Sequence, residues 1–140
     1  MKIQWKIKRF NELLIAELYS VLQLRSEVFV VEQNCVYQDL DGKDEKALHL
    51  IGLFEGKIVA YARLFKPNDY FENASIGRVV IDQNYRDRKW GHEMMQQAIF
   101  GIQQYFGETK ITISAQLYLK KFYETQGFVK TSEMYLEDDI

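Results

Sequence analysis

Cationic side chains gather in one short stretch of the sequence, directly before a segment with helical periodicity. Arg86, Arg88 and Lys89 stand close together, and Gly91 follows them. The first turn of a helix leaves backbone N–H groups without internal partners and carries the positive end of the helix dipole, so an anion is stabilised there. The sequence therefore predicts a phosphate site in the stretch Arg86-Asp87-Arg88-Lys89-Trp90-Gly91-His92. On this feature alone, a solvated basic face stays open as the commoner explanation.

A strand and a helix must position this stretch. Upstream, Ala74–Ile81 is rich in β-branched residues and predicts a strand, and the polar residues after it predict a turn. Downstream, apolar residues recur at helical spacing from Trp90 to Phe106 and predict one amphipathic helix. The cations therefore lie on a strand-to-helix connection.

The rest of the chain alternates between strand and helix patterns. A short strand is predicted at Ile3, Trp5 and Ile7, and then a helix capped by Asn11 and ending near Val30. A polar, loop-like stretch follows. Further elements are a hairpin of Leu48–Phe54 and Ile58–Phe65, a strand through Ile111 to Ala115, a short helix Leu117–Gln126 and a last strand Phe128–Leu136. Mixed elements in this order predict an α/β fold, an α+β mixed sandwich.

Composition bounds the classes of protein that fit. The chain has 140 residues, the usual size of one domain, and we expect residues 1–140 to form a single domain. The formal net charge of −2 argues against nucleic acid as a partner. No apolar run is long enough to span a membrane, and no leader pattern is present, so we expect a cytoplasmic protein.

Two motifs resemble those of the GNAT superfamily of N-acetyltransferases. The first is its acyl-coenzyme-A signature, Arg/Gln-x-x-Gly-x-Gly/Ala, which is matched by Arg86 and Gly91, with Lys89 at the first glycine. The second is a late segment in which Tyr123 and the pair Gly127-Phe128 match, with Gln116 where asparagine is usual. The resemblance implies a central mixed, mostly antiparallel sheet flanked by helices. It also implies acetyl-CoA as co-substrate, with no metal.

Shorter matches make the chain similar to the ElaA-like branch of this superfamily. They cover nearly the whole chain, and their joint order is what makes them specific. They are Leu24-Arg25, Val28 to Cys35 with Tyr37, Asp39 to Asp44, His49, Ala60-Tyr61 with Arg63, Gly77 to Val80, Ala115-Gln116 and Glu137-Asp138.

The resemblance also implies roles for particular residues. Tyr123 occupies the general-acid position of the superfamily, and a phenol is a reasonable proton donor to a thiolate. The coenzyme is expected to bind the backbone of three strand residues, the cationic loop and two late residues. These are Val79, Val80 and Ile81, then Arg86, Asp87, Arg88, Lys89, Trp90, Gly91 and His92, and finally Gln116 and Tyr123.

A base must also receive the proton of the attacking amine, because an amine with a reference pKa near 10.4 is mostly protonated at neutral pH. Glu32 and His49 are the candidates, since both are placed near loop or strand ends. Each has an alternative. Glu32 could instead pair with Arg25 or cap a turn, and His49 could be a strand histidine whose hydrogen bonds are satisfied within the fold.

Two other groups of residues were considered as sites, an acidic stretch and a cysteine. The acidic stretch Asp39 to Asp44 hints at a calcium loop, but Tyr37 and Leu48 then fall on required ligand positions, so calcium is not expected. A solvated turn, or attraction of a cationic amine, stays open. Cys35 has no neighbouring nucleophile motif, which disfavours a thiol enzyme.

Two functions remain. The first is an N-acetyltransferase that moves an acetyl group from acetyl-CoA to a small-molecule or peptide amine by direct attack. The alternative is a non-catalytic acyl-CoA-binding or sensing module on the same fold. A homodimer is left open, and the sequence does not identify the amine.

Overall fold

The computed structural model describes residues 2–113 of the chain. The strands are β1 (Gln4–Arg9), β2 (Leu48–Phe54), β3 (Lys57–Phe65), β4 (Ala74–Ile81) and β5 (Ile111–Ile113). The helices are α1 (Ile15–Arg25), which continues as a π-helical segment over Ser26–Glu32, and α2 (Trp90–Phe106). Short 3₁₀ turns occupy Phe10–Glu12, Asp44–Lys46 and Gln83–Arg88. The predicted helix Leu117–Gln126 and strand Phe128–Leu136 lie outside the described residues.

The five strands form one sheet in the order β1-β2-β3-β4-β5. The first four are antiparallel neighbours, and β5 pairs parallel to the first half of β4, from Ala74 to Ile76. This confirms the predicted mixed, mostly antiparallel sheet flanked by helices. The parallel pairing requires a crossover between β4 and β5, which α2 supplies.

The predicted hairpin forms with a two-residue loop. Phe54 pairs with Lys57, and the loop residues Glu55 and Gly56 have φ of +52° and +80°. Left-handed conformations at both loop residues are typical of the tight turns whose twist matches that of the flanking strands. The second strand begins at Lys57, one residue earlier than the sequence predicts.

The predicted cap of α1 at Asn11 was wrong. Asn11 lies in the 3₁₀ turn, and α1 begins at Ile15. Glu17, in the first turn, accepts a hydrogen bond from the Leu14 N–H at 2.8 Å and pairs with the Lys8 ammonium at 2.7 Å. A glutamate at the third helical position can satisfy the N–H of the cap residue by itself. The helical run also continues to Glu32 instead of ending near Val30.

Two buried clusters lie on opposite faces of the sheet. On one face, α2 buries Met94, Met95, Ala98, Gly101 and Ile102. A Cβ at Gly101 would stand 2.6 Å from the Ile7 Cδ1 atom, so the glycine permits the helix to approach β1 closely. On the other face, α1 and the π-helical segment pack on the sheet through Val21, Leu24, Val28 and Phe29 against Ile51, Ile58, Tyr61 and Val80.

Within residues 2–113, no helix combines the length and the apolar character that crossing a membrane requires.

Candidate active site

The predicted phosphate site lies on the connection from β4 to α2. After Ile81, the Asp82 carboxylate accepts a hydrogen bond from the Asn84 N–H at 3.0 Å, which starts the 3₁₀ turn. Helix α2 then begins at Trp90, and the side chain of its N-cap residue, Lys89, makes no capping hydrogen bond. With no such cap, the N–H groups of the first turn are suited to an anion. The geometry supports the predicted site.

Lys89 adopts a left-handed backbone, with φ of +61° and ψ of +33°. This is the position at which the GNAT signature has its first glycine. A residue with a Cβ costs about 1–2 kcal/mol in this conformation, and glycine does not. The turn therefore keeps the backbone shape that the glycine favours while it adds an exposed ammonium group to the loop.

Arg88 is held by aromatic rings. Its guanidinium carbon lies 4.8 Å from the ring centroid of Phe54, 5.4 Å from that of Tyr85 and 5.7 Å from that of Trp90. The rings of Tyr85 and Trp90 stack with an interplanar angle of 17°. Cation–π attraction orients the guanidinium, and the side chain stays exposed to solvent. The loop thus presents a positioned positive charge beside the start of α2.

Arg86 makes three hydrogen bonds to other residues of the described part of the chain. Its Nε–H donates to the Ile81 carbonyl at 3.0 Å, and both terminal nitrogens donate to the carboxylate of Glu32, one of them at 2.8 Å. Arg86 therefore ties the phosphate loop to the end of the π-helical segment. The alternative pairing of Glu32 with Arg25 was wrong, since Arg25 binds Asp39 and Asp44 instead.

A β-bulge interrupts β4 at Arg78. Tyr61 pairs with Val80 and Arg63 with Gly77, so two residues of β4, Arg78 and Val79, stand opposite one residue of β3. Arg78 has φ of +49°. A bulge bends the strand and leaves a residue outside the regular pairing, so its backbone groups can point at a ligand.

The side chains of the three predicted strand residues pack into the two cores. Val80 is 3% exposed in the cluster under α1, while Val79 and Ile81 pack against the cluster under α2. Their packing leaves the backbone role that the resemblance implies open, because side chains can fill the core while peptide groups bind. That backbone role stays a prediction.

Three arginines and three aspartates form a largely buried cluster on the α1 face, called here the arginine–aspartate cluster. Its members are Arg25, Arg63, Arg78, Asp39, Asp41 and Asp44. Arg25 binds Asp39 at 2.9 Å and Asp44 at 2.7 Å, and Arg63 binds Asp41 at 2.7 Å. Equal numbers of each charge satisfy the rule that buried charges must be paired.

The cluster fixes the long connection between α1 and β2 onto the sheet. Burial raises the pKa of Asp41, but the hydrogen bonds and charge of Arg63 outweigh this effect and bring the pKa to about 2. Burial likewise raises the pKa of Asp44, and the charges of Arg25 and Arg63 reverse the shift, so that its pKa lies below the usual value. Both aspartates are therefore ionised at neutral pH and bind arginines, which explains the acidic stretch without a calcium ion.

Sequence reasoning missed Arg25, Arg63 and Arg78 as members of one network. A signal existed, because Arg63 and Arg78 each interrupt an apolar strand pattern, and a charge at such a position requires a buried partner. Their partners could not be identified, since they lie 14 to 39 residues away in the sequence.

His49 is a fully buried strand histidine with both ring nitrogens engaged. Its Nε2 lies 2.9 Å from the Asp44 carbonyl oxygen, which can only accept, so Nε2 carries the proton. The Tyr61 hydroxyl lies 2.5 Å from Nδ1 and donates to it. Burial lowers the pKa of His49, and the hydrogen bond to Asp44 opposes this effect only in part. The alternative of a satisfied strand histidine is confirmed.

The structure does not bring Glu32 and His49 together. Glu32 lies beside the phosphate loop, whereas His49 on β2 is separated from β4 by β3, a distance of roughly 10 Å across the sheet. Tyr123 and Gln116 lie outside the described residues. Among residues 2–113, no group of three histidines, cysteines or acidic residues is placed to hold a metal ion.

Comparison with known proteins gives a consistent set of matches. Residues 15–140 match the family described as acetyltransferase (GNAT) domain. The chain is 39% identical over 140 residues to Protein ElaA of Escherichia coli (strain K12), covering 99% of this chain and 92% of that protein.

Solved structures agree with the sequence matches. The crystal structure of Escherichia coli ElaA has a TM-score of 0.90 at 38% identity, covering 98% of this chain and 94% of that one. An acyl-CoA N-acyltransferase from Pseudomonas aeruginosa has a TM-score of 0.90 at 39% identity, covering 98% and 95% of the two chains. The fold expected from the resemblance, including its ElaA-like branch, is confirmed.

Proposed function

The chain belongs to the GNAT acetyltransferase family, and on that premise we propose that it transfers an acetyl group from acetyl-CoA to an amine by direct attack. The observation that carries the proposal is the strand-to-helix connection at residues 82–90, where a helix start without a side-chain cap stands beside oriented cations. That combination suits the pyrophosphate of a coenzyme.

The residues of the loop divide the work of binding. Backbone N–H groups at the start of α2 and the side chains of Arg88 and Lys89 would bind the coenzyme phosphates. Arg86 would act by fixing the loop, because its guanidinium donates to Ile81 and Glu32. When bound, acetyl-CoA supplies a thioester whose acetyl carbon is open to attack by a neutral amine.

The bulge in β4 is the proposed place of the acetyl group. A backbone N–H that points out of the regular strand pairing can stabilise the negative charge that develops on a carbonyl oxygen, and it is already oriented before the reaction. The bulge at Arg78 offers such a group three residues before Ile81, after which the phosphate loop begins.

The reaction needs a group that receives the proton of the amine and a group that donates one to the thiolate. Both nitrogens of His49 are engaged, so this side chain presents no free lone pair to an amine. Each oxygen of Glu32 already accepts a hydrogen bond from Arg86, which holds the carboxylate against the phosphate loop. We propose that solvent water receives the amine proton. For the leaving thiolate, Tyr123 is the proposed donor, on the resemblance alone.

The test is thiol release from acetyl-CoA with a panel of polyamines, amino acids, aminoglycosides and short peptides with free N-termini. Calorimetric titration with coenzyme A accompanies it. We expect coenzyme A to bind and at least one amine class to give turnover. Tight binding with no turnover on any amine would instead favour the non-catalytic binding or sensing module, and absence of binding would exclude both. The proposed setting is the cytoplasm.

A further inference from the structure

A small cleft lies on the α1 face of the sheet, between the ends of β3 and β4 and the connection that joins them. We call it the β3–β4 cleft. Phe65 stands opposite Ser75 and Arg63 opposite Gly77, so these four residues share one face of the sheet. Tyr70 and Phe71, from the connection, complete the wall.

Two buried polar atoms at this cleft have no hydrogen-bond partner within residues 2–113. They are the Oγ of Ser75, a residue 2% exposed, and the Nε of Arg63, a residue 1% exposed. The other two guanidinium nitrogens of Arg63 are bound by Asp41 and Asp44. A buried donor without a partner is costly and is uncommon in native proteins. Two of them at one cleft indicate that an oxygen acceptor from outside the described residues belongs there.

Charge decides what kind of oxygen fits. The positive charge of Arg63 is already met by the carboxylates of Asp41 and Asp44. A carboxylate or phosphate in the cleft would therefore add a third negative group beside those two. A neutral acceptor avoids this repulsion and can still accept hydrogen bonds from the Nε–H of Arg63 and the hydroxyl of Ser75.

The walls favour a flat group. The rings of Phe65 and Tyr70 lie with centroids 5.1 Å apart, and both flank the guanidinium of Arg63, at 4.9 Å and 5.6 Å. Planar groups pack well against such rings. An amide is neutral, planar and a strong acceptor through its carbonyl oxygen, so it matches both the walls and the donors.

The cleft continues towards the bulge. A Cβ at Gly77 would meet no atom of the described residues within 4 Å, so this part of the chain leaves open space above β4 between Ser75 and Arg78. The two positions are three residue steps apart along the strand, a distance of roughly 10 Å. An extended peptide covers about 3.3–3.6 Å per residue, so two or three residues span the gap.

We propose that the β3–β4 cleft binds the second or third carbonyl of a peptide whose free N-terminal amine lies at the bulge. The acceptor substrate is then the N-terminus of a peptide or protein. This inference rests on the proposed acetyl transfer and specifies its acceptor.

The test uses a length series of acceptors, namely alaninamide, dialanine amide and trialanine amide, with pentylamine as an acceptor that has no oxygen. In the wild type, the KM should fall by about three- to tenfold at the length whose carbonyl reaches the cleft, the factor that one hydrogen bond contributes. In Ser75→Ala, this step with length should disappear. Ser26→Ala, at an exposed serine, is the matched control and should keep it.

Stability supplies a readout that does not depend on turnover. Ser75→Ala deletes a buried hydroxyl that has no partner, so the variant should melt at the same temperature as the wild type or higher. Calorimetric titration with N-acetyl-trialanine amide in the presence of coenzyme A should show weaker binding to Ser75→Ala than to the wild type.

Two results would overturn the inference. One is an active wild type whose KM does not depend on peptide length. The other is a Ser75→Ala variant that is less stable but keeps the length step, which would mean that an ordered water fills the cleft. If no amine gives turnover, the proposed acetyl transfer fails independently of the cleft. The calorimetric titration then decides whether the cleft binds a peptide. Binding that depends on Ser75 would then retain the cleft as a peptide site, and its absence would remove it.

Discussion

Asp39 forms an ion pair with Arg78, since its Oδ1 lies 2.8 Å from the Nε of that arginine. Arg78 is the residue of β4 with a positive φ, +49°. The Asp39 carbonyl also accepts from a terminal nitrogen of Arg78 at 3.1 Å. A left-handed residue with a side chain is strained, and these contacts offset the strain. The connection before β2 thereby controls the shape of the strand on which the acetyl group is proposed to lie.

Replacing Arg78 separates the backbone requirement from the ion pair. Arg78→Ala and Arg78→Gly both delete the guanidinium, but only glycine accepts the positive φ without cost. We expect the alanine variant to be about 1–2 kcal/mol less stable than the glycine variant in urea unfolding. Equal stabilities would show that the bulge does not need a left-handed residue at this position.

Variants at Arg78 and Asp39 also test whether the bulge is needed for turnover. If the bulge positions the thioester, Arg78→Gly should bind coenzyme A normally through the phosphate loop and lose turnover, since glycine leaves the bulge free to move. Asp39→Asn should act in the same direction and also lower the free energy of unfolding by roughly 3–5 kcal/mol, the usual effect of removing one partner of a buried pair. Turnover of each folded variant, beside its coenzyme A affinity, distinguishes the two effects.

The phosphate loop can be tested by adding an anion to it. Gly91→Asp places a carboxylate in the first turn of α2, where it would compete with phosphate for the same N–H groups and repel it. We expect a large loss of coenzyme A affinity by calorimetry. Arg88→Ala should cost less, and its loss should shrink at high salt because an exposed charge is screened. Lys110→Ala, an exposed cation outside this loop, is the control. Unchanged affinity in Gly91→Asp would remove the loop from the binding site.

How far the sequence could predict these elements depends on how local each signal is. Strand β4 and helix α2 were predicted with their observed bounds, since side-chain period and turn residues are set by neighbours along the chain. The left-handed Lys89 could be suspected from the signature, because its position usually holds glycine. The arginine–aspartate cluster could not be predicted, since its pairs join distant parts of the chain. The β3–β4 cleft could not be predicted either, because it exists only once β3 and β4 are paired. The predicted helix cap at Asn11 was wrong, because the Glu17 carboxylate accepts the hydrogen bond of the Leu14 N–H at the start of α1.

Glu32 serves as a test of the base assignment. If its contact with Arg86 is structural, Glu32→Gln should weaken the hold on the phosphate loop, so the KM for acetyl-CoA should rise severalfold while the pH dependence of kcat stays unchanged. If Glu32 is the base, kcat should fall and the pH limb of its ionisation should vanish. Steady-state kinetics across pH, with Glu27→Gln at a neighbouring exposed glutamate as control, separates these results.

His49 makes stability depend on pH. Burial lowers its pKa in the folded state, so between that pKa and the unfolded value near 6.5 the unfolded chain binds more protons. The free energy of unfolding should therefore fall as the pH drops below about 6.5. Asp41, whose folded pKa is about 2, adds a further loss between about pH 4 and pH 2.

Two variants identify the histidine responsible. His49→Gln can retain a donor towards Asp44 and an acceptor for Tyr61 but does not titrate, so the loss of stability just below pH 6.5 should largely disappear. His92→Gln changes the other histidine of the chain, which is exposed, and is measured beside it for comparison. Chemical unfolding between pH 5 and 8 measures both. A profile that His49→Gln leaves intact would assign the dependence to another group.

Tyr123 separates the enzyme from the binding module. If its phenol donates to the departing thiolate, Tyr123→Phe keeps the ring and deletes only the donor, so turnover should fall by roughly ten- to a thousandfold with little change in coenzyme A affinity. A tyrosine that only fills space would alter thermal stability modestly and leave turnover per folded molecule intact. Thiol release and coenzyme A titration on the wild type and the variant give the answer. Because Tyr105→Phe changes an exposed tyrosine of α2, it controls for loss of a hydroxyl elsewhere. Unchanged turnover in folded Tyr123→Phe would leave water as the proton source for the thiolate.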